Sequence, residues 1–145
     1  MTADAEIVAF MVKLYVGAEP ALFLALSADG AVNRSGSGRP NTEENDVFIG
    51  VAPGPFFEQA MEFFDIEWLY RCGTYEIPDQ LGERCVLTLT FFLAHQPPDA
   101  AVLEFRYGAK SQGPPPGVQE FVRRAVAVTQ EWYAERLAEV ADSGR

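Results

Sequence analysis

Residues 84–94, RCVLTLTFFLA, constrain the fold more than any other segment, because their composition and pattern are typical of a β-strand. The segment is rich in β-branched and aromatic residues and contains no Gly, Pro or acidic residue. Since side chains alternate along a strand, one face would carry Cys85, Leu87, Leu89, Phe91 and Leu93. The opposite face, which includes Thr88 and Thr90, is only half apolar. We therefore predict an interior strand whose apolar face meets a layer of helices.

In the segments on either side, apolar residues also occupy every second position, so their apolar faces can be matched to that of 84–94. This predicts an antiparallel meander over residues 66–107. Upstream, the shared apolar face would carry Ile66, Trp68, Tyr70 and Cys72, with Leu69 as an exception. Downstream, the apolar residues Leu103, Phe105 and Tyr107 alternate with Glu104 and Arg106. Matching the apolar faces across the two intervening turns places Cys72 opposite Leu89, and Leu103 opposite Leu93.

The rest of the chain predicts further strands and two connecting segments. Strands are expected at 9–16, 22–27, 31–36 and 47–51, with an Asp-Gly turn between the second and the third. Residues 1–17 also fit a helix, and we favour the strand over 9–16 because that segment is β-branched. The Gly/Ser-rich and then acidic segment 35–46 predicts a flexible loop, and the proline-rich segment 111–117 predicts a stiff linker.

Two helices are predicted, one short and one long. The short helix is rich in Phe and would begin at Pro55, because proline suits the first helical position. The long helix, at about residues 118–141, carries apolar residues at helical spacing and is expected to cross the buried face of the sheet. The predicted fold is a single α+β domain over residues 1–145. Its antiparallel sheet would have about five to six strands, with both helices packed on one face.

The composition bounds the class of protein further. A chain of 145 residues is long enough for one domain with its own core. No segment reaches the ~20 apolar residues of a membrane-spanning helix, and the acidic first ten residues do not resemble a secretion signal. We therefore expect a cytoplasmic protein. Cys72 and Cys85 lie too far apart in the predicted register for a disulfide, so both are expected to be reduced core residues.

The net charge of −10 is distributed unevenly along the chain. Between Arg39 and Arg71 there is no base and there are seven acids, Glu43, Glu44, Asp46, Glu58, Glu62, Asp65 and Glu67. This segment would repel nucleic acids and anionic membranes, so neither is an expected partner. It would either serve as a solvated surface or bind a basic protein partner. On a helix that begins at Pro55, the acids at 58, 62 and 65 would share one side.

The sequence carries no catalytic or cofactor motif. The single histidine, His95, has no second histidine or clustered cysteine beside it, so we expect no transition-metal site. The segment SGSGR at 35–39 lacks the Lys-Ser/Thr ending of a phosphate-binding loop. The acids at 43–46 lack the spacing and the glycine of a calcium-binding EF-hand. We expect no catalytic residue, no metal and no cofactor.

Two functions from different classes fit these features. The first is a small non-enzymatic interaction domain that binds or inhibits another protein, or a second copy of itself, through the seven acids. The alternative is a small-ligand pocket, or an active site without a recognisable motif, between sheet and helices. Its candidate residues are Trp68, Tyr70, Tyr75, Glu76 and Arg106. A closed core beside a flat acidic face would favour the first, and a large pocket with converging polar groups would favour the second.

Overall fold

The computed structural model describes residues 7–36, 48–51, 55–78, 80–94 and 100–143. The strands are β1 (Ile7–Val16), β2 (Glu19–Ser27), β3 (Ala31–Gly36), β4 (Phe48–Val51), β5 (Gly73–Glu76), β6 (Arg84–Leu93) and β7 (Ala100–Gly108). The helices are α1 (Phe56–Met61), a 3₁₀ helix at Ile66–Tyr70, and α2 (Pro116–Ser143). The predicted loop 35–46 begins within the end of β3 and otherwise lies outside the described residues.

The described strands form one mostly antiparallel sheet in the order β4-β3-β2-β1-β6-β7-β5. The first six are joined by antiparallel pairing, and β5 adds in parallel to β7 at the edge. The predicted α+β class is therefore confirmed, with a short helix and a long C-terminal helix beside the sheet. The strand interpretation of 9–16 is also confirmed, since these residues lie within β1.

The core lies between one face of the sheet and the helices. β6 is an interior strand, as predicted, and its odd-numbered side chains are buried from Cys85 to Phe91. The ring of Phe121 on α2 lies 5.0 Å from that of Phe10 and 5.6 Å from that of Phe91, measured between ring centroids. On the opposite face of the sheet, Tyr15 and Val102 remain exposed. The domain thus has two layers, with helices on one side of the sheet.

Arg34 fastens the helical layer to β3 on this inner face. Its side chain is fully buried, and its guanidinium donates to the carbonyl of Val126, the hydroxyl of Thr129 and the amide oxygen of Gln130 at 3.0–3.2 Å. The same group lies 4.2 Å from the centre of the Tyr133 ring. Four residues of one helix therefore contact a single buried cation. No periodicity of apolar residues predicts such a contact.

The predicted meander over 66–107 is wrong in its first strand. Residues 66–70 form the 3₁₀ helix, in which the backbone N–H of Trp68 donates to Asp65 O and that of Arg71 donates to Trp68 O. β5 follows, but it pairs in parallel with β7. It is not paired with β6, because β7 lies between them. Cys72 is exposed rather than buried opposite Leu89, whereas Cys85 is buried as predicted. The place opposite β6 is taken by β1.

The second half of the meander is antiparallel as predicted, but its register is wrong by four residues. Leu103 pairs with Leu89 instead of Leu93, and the strands stay in register to the pair Phe92 and Ala100. The shift is an even number, so the apolar side chains still share the inner face. The alternation of apolar residues therefore predicted which side chains share a face. It does not determine the length of the connecting turn, and that length set the register.

The connection from β5 to β6 passes across the end of β7, because the two strands lie on opposite sides of β7. The crossing is tight. A Cβ atom added at Gly108, the last residue of β7, would lie 2.1 Å from Leu81 O. The connection is bonded there, since the backbone N–H groups of Ala109 and Lys110 donate to Glu83 O and Leu81 O. Glycine at position 108 is what permits this path.

The short helix α1 is one turn shorter than predicted. It ends at Met61. The backbone N–H groups of Phe63 and Phe64 then donate to Ala60 O and Met61 O, three residues earlier in each case, as in a 3₁₀ turn. Asp65 consequently lies beyond α1, where its carboxylate accepts a hydrogen bond from the Glu67 N–H at 3.0 Å and caps the 3₁₀ helix. The prediction that the acids at 58, 62 and 65 share one side of a single helix is therefore wrong.

Candidate functional site

A cavity of about 460 Å³ opens on the inner face of the sheet, at the edge formed by β7 and β5. Its wall is mostly aromatic and aliphatic, with one cation and one carboxylate: Phe63, Asp65, Trp68, Arg71, Tyr75, Ile77, Leu103, Phe105, Pro115, Gly117 and Val118. Three parts of the fold meet here. The two edge strands form the floor, residues 63–71 form one side, and the start of α2 closes the other. A volume of this size falls within the range of ligand-binding cavities.

The floor exists because β5 pairs with β7 in a register that places Tyr75 opposite Phe105. Residues paired in this way point to the same face, so Tyr75 lies beside Phe105 and Glu76 lies beside Arg106. The rings of Tyr75 and Phe105 stack with their centroids 5.3 Å apart and 18° between their planes. The Tyr75 hydroxyl donates to the backbone carbonyl of Arg71. This bond ties the edge strand to the segment that forms the side of the cavity.

Trp68 is buried in the cavity wall and packs against several aromatic rings of the core. It is 9% exposed, and its ring makes edge-on contacts with Phe64 and Phe121 at centroid distances of 5.5 Å. Phe91, on the central strand, lies 6.1 Å away. The 3₁₀ helix capped by Asp65 carries this tryptophan inward. The cavity therefore has one rigid wall that is continuous with the hydrophobic core.

Exposed aromatic and aliphatic side chains are concentrated in the segment that forms the side and edge of the cavity. Seven large hydrophobic side chains are exposed in the described part of the chain, and four of them lie between residues 63 and 75. They are Phe63 at 41%, Ile66 at 51%, Tyr70 at 64% and Tyr75 at 37%. We call these four residues the aromatic rim; Phe63 and Tyr75 line the cavity itself, whereas Ile66 and Tyr70 do not. Apolar side chains that are exposed together on a folded protein are typical of a binding surface.

The charges beside the cavity have both signs. Arg71 lies 3.0 Å from Glu67 in an exposed ion pair, and Arg124 on α2 lies 3.5 Å from Glu62. Glu58 is exposed in the first turn of α1. Glu58, Glu62, Asp65 and Glu67 lie in the same stretch of sequence as the rim, and Asp65 is the one of the four that lines the cavity. Glu43, Glu44 and Asp46 lie outside the described residues. Two of the described acids are thus partly neutralised by arginine.

The structure brings together only part of the predicted pocket. Trp68 and Tyr75 line the cavity, whereas Tyr70 is exposed at the end of the 3₁₀ helix and does not line it. Glu76 and Arg106 lie on the outer face of the sheet, where Arg106 bonds to Glu104 at 2.7 Å and to Glu76 at 3.2 Å. Sequence reasoning missed Phe63, Arg71, Ile77 and the residues of α2. It missed them because it interpreted residues 66–77 as one strand. A single strand would lack the turn between the 3₁₀ helix and β5, which brings the residues of the cavity wall together.

The described residues offer no evident acid–base or metal chemistry. They contain no group of three His, Cys, Asp or Glu side chains that could hold a metal ion. His95 lies outside the described residues. Burial raises the pKa of the Cys85 thiol, with a smaller contribution from Glu83, so this thiol is less ready to ionise than an ordinary one. What the cavity can do chemically is bind an apolar group between aromatic walls.

No protein-family model matches the chain, and no curated protein sequence matches it significantly. The fold and the cavity therefore define the class of protein by themselves: a two-layer α+β domain with an aromatic cavity at one edge of its sheet. Among the described helices, none is both long and apolar enough to cross a membrane.

Proposed function

We propose that this chain is a non-enzymatic interaction domain that binds a basic protein partner and takes an apolar side chain of that partner into the cavity. One observation carries the proposal: Phe63 and Tyr75 of the exposed aromatic rim line the cavity, and the other two rim residues are exposed in the segment that forms its side. A small molecule enclosed in the cavity would leave Ile66 and Tyr70 in water, whereas a protein surface would cover them together with the cavity. Aromatic side chains around a central pocket are also the residues that contribute most to binding in protein interfaces.

The charge of the chain supports a basic partner. The net charge is −10, and exposed acids at Glu58, Glu62 and Glu67 lie in the same segment as the rim. Charges of this kind speed the encounter with a partner of opposite sign more than they strengthen the final complex. The proposal therefore assigns two roles to the segment, with the acids attracting the partner and the cavity holding it.

The test uses two leucine substitutions on α2. Gly117 lines the cavity, and a Cβ atom there would make an ordinary contact with Trp68 at 3.9 Å, so Gly117→Leu should fill the cavity without disturbing the helix. Ala127 is exposed on the same helix, and Ala127→Leu adds the same bulk elsewhere. The probe is the tripeptide N-acetyl-Lys-Phe-Lys-amide, observed by saturation-transfer NMR. We expect saturation transfer to the phenylalanine ring of the tripeptide to be lost with Gly117→Leu and to be retained with Ala127→Leu.

Equal saturation transfer to both variants would contradict the proposed site. Salt provides a second readout, because raising the ionic strength from about 0.1 M to 1 M shortens the Debye length from about 10 Å to about 3 Å. Binding of the tripeptide should weaken over this range, while binding of neutral N-acetyl-phenylalanine amide should change little. A tripeptide affinity that is indifferent to salt would remove the basic partner from the proposal.

A second candidate is a small-ligand site within the same cavity, and its volume of about 460 Å³ favours it. The two candidates differ in how tightly a small molecule alone should bind. A dedicated ligand of drug size that fills the cavity should reach a dissociation constant near the micromolar range. A fragment that only mimics a partner's side chain should bind in the millimolar range. Screening a fragment library against the wild type and Gly117→Leu separates the two.

A further inference from the structure

We propose that an extended segment of the partner adds to the free edge of β5 as a further strand, with basic and aromatic residues alternating along it. Its aromatic side chain would enter the cavity, and its basic side chain would lie on the outer face beside Glu76. This inference rests on the proposed function, because it specifies how the partner reaches the cavity.

The first support is the free edge itself. β5 is the last strand of the sheet in the described part of the chain, and each of its four residues is exposed. The N–H of Ile77, just beyond β5, donates to Arg106 O at 2.9 Å. In a parallel ladder the residues of one strand alternate between bonding to the neighbour and facing away. The backbone groups of Thr74 and Glu76 therefore face away from β7, where an added strand could bond to them.

The second support is the position of the cavity relative to this edge. Tyr75 and Ile77 point to the inner face and line the cavity. A strand that pairs with β5 lies about 4.8 Å farther out, and every second side chain points to the inner face. One such side chain would lie beside Tyr75 at the mouth of the cavity. Backbone pairing and insertion of an aromatic ring are thus compatible in one extended segment.

The third support is the charge on the outer face of the same edge. Glu76 and Glu104 share the single guanidinium of Arg106, so the cluster carries two carboxylates against one cation. The Glu76 side chain is 56% exposed. Residues that flank the aromatic one in an added strand would point to this face. A lysine or arginine at that place would balance the charge, which selects a segment with alternating basic and aromatic residues.

The probe is a fluorescein-labelled nine-residue peptide with Lys-Phe-Lys at its centre and Ser or Thr around it, measured by fluorescence anisotropy. Thr74→Pro removes an N–H that faces the free edge and leaves the bonds between β5 and β7 in place. We expect Thr74→Pro to weaken binding at least about tenfold, as loss of a principal contact does. Thr74→Ala and Ala127→Leu should bind the peptide as the wild type does. Circular dichroism and thermal unfolding confirm that each variant is folded.

Backbone methylation of the peptide gives the sharper comparison. Two analogues carry one N-methyl group each, at the Phe or at the Lys that follows it. Because successive N–H groups of a strand point to opposite edges, only one of the two positions faces β5. We expect one analogue to lose at least about tenfold in affinity and the other to bind like the parent peptide.

The outcomes separate this inference from the proposed function. If both methylated analogues and Thr74→Pro bind as their parents do while Gly117→Leu still weakens binding, strand addition is overturned and the cavity site stands. If Gly117→Leu also has no effect, the proposed function fails with it. A wild type that is dimeric by light scattering, with a monomeric Thr74→Pro variant and no competition by peptide, would assign the edge to a second copy of this chain and overturn the inference.

Discussion

At the scale of single residues, Arg34 shows how much a fold can depend on a side chain that no pattern identifies. The sequence predicts a weak strand at 31–36 and indicates nothing about the arginine within it. In the structure the guanidinium is fully buried beneath α2 and stacks on Tyr133. A buried cation must have its hydrogen bonds satisfied, and here the helix supplies three acceptors. The location of those acceptors follows from tertiary packing alone.

We predict that Arg34→Lys destabilises the protein although it preserves the charge. A lysine ammonium cannot reproduce the planar fork that bonds to Thr129 and Gln130 and stacks on Tyr133. The free energy of unfolding, measured by urea denaturation, should fall by about 2–4 kcal/mol. The matched control is Arg123→Lys, at an exposed arginine that pairs with Glu120, and it should change stability by less than about 0.5 kcal/mol. Equal effects of the two substitutions would contradict the assigned role.

Tyr107 gives a prediction in alkaline solution. Burial, with a smaller contribution from Cys85, raises the pKa of its phenol from 10.0 to about 12. A raised pKa favours the neutral phenol in the folded state, so the stabilisation is complete below about pH 10 and is lost as the pH rises through about 12. Because the ring is only partly buried, we expect a loss of about 1–2 kcal/mol relative to Tyr107→Phe.

The measurement is urea denaturation of the wild type and Tyr107→Phe at intervals from pH 9 to about pH 12. The unfolding free energy of the wild type should fall relative to that of Tyr107→Phe over that range. Tyr15→Phe, at an exposed tyrosine on β1, controls for loss of a phenol hydroxyl. A difference that stays constant with pH would show that the Tyr107 phenol is not protected by the fold.

At the scale of elements, the sequence could predict which faces are apolar but not which strands are neighbours. The alternation at 84–94 and 103–107 gave the correct inner face for β6 and β7. The same reasoning failed at 66–77, where Leu69 broke the alternation. That exception was a signal of a helical turn, since Trp68 is buried and the neighbouring Leu69 packs partly buried against the same core. A short segment that mixes both periodicities does not determine its own conformation.

The crossing of β7 by the β5–β6 connection predicts a large effect of one methyl group. Gly108→Ala would place its Cβ atom 2.1 Å from Leu81 O, which forces the crossing segment to move. We expect a loss of about 2–3 kcal/mol in unfolding free energy, as for other overpacked sites. Gly117→Ala is the matched control, because its Cβ atom meets only Trp68 Cζ2 at 3.9 Å. A Gly108→Ala variant as stable as Gly117→Ala would show that the connection takes another path.

At the scale of the whole molecule, the sequence predicted the α+β class and the position of the long helix, but only part of the site. The α+β class follows from the periodicity of apolar residues, which can be seen directly in the sequence. The cavity depends on the parallel pairing of β5 with β7, which brings Tyr75 next to Phe105 across 30 positions of sequence. The predicted acidic surface is only partly described, and in the described part arginines lie among the acids.

The most direct test of the central claim, that the cavity binds an aromatic group, is ¹⁹F NMR of the protein labelled with 5-fluorotryptophan. The chain has two tryptophans, which should give two resonances. Trp68 lines the cavity, while Trp132 lies 14 positions beyond Val118 on α2, roughly 21 Å along the helix. On addition of the Lys-Phe-Lys peptide, we expect the Trp68 resonance to shift with saturation, the Trp132 resonance to stay in place, and Gly117→Leu to abolish the shift. Resonances that both stay unchanged, or that move equally, would contradict the account.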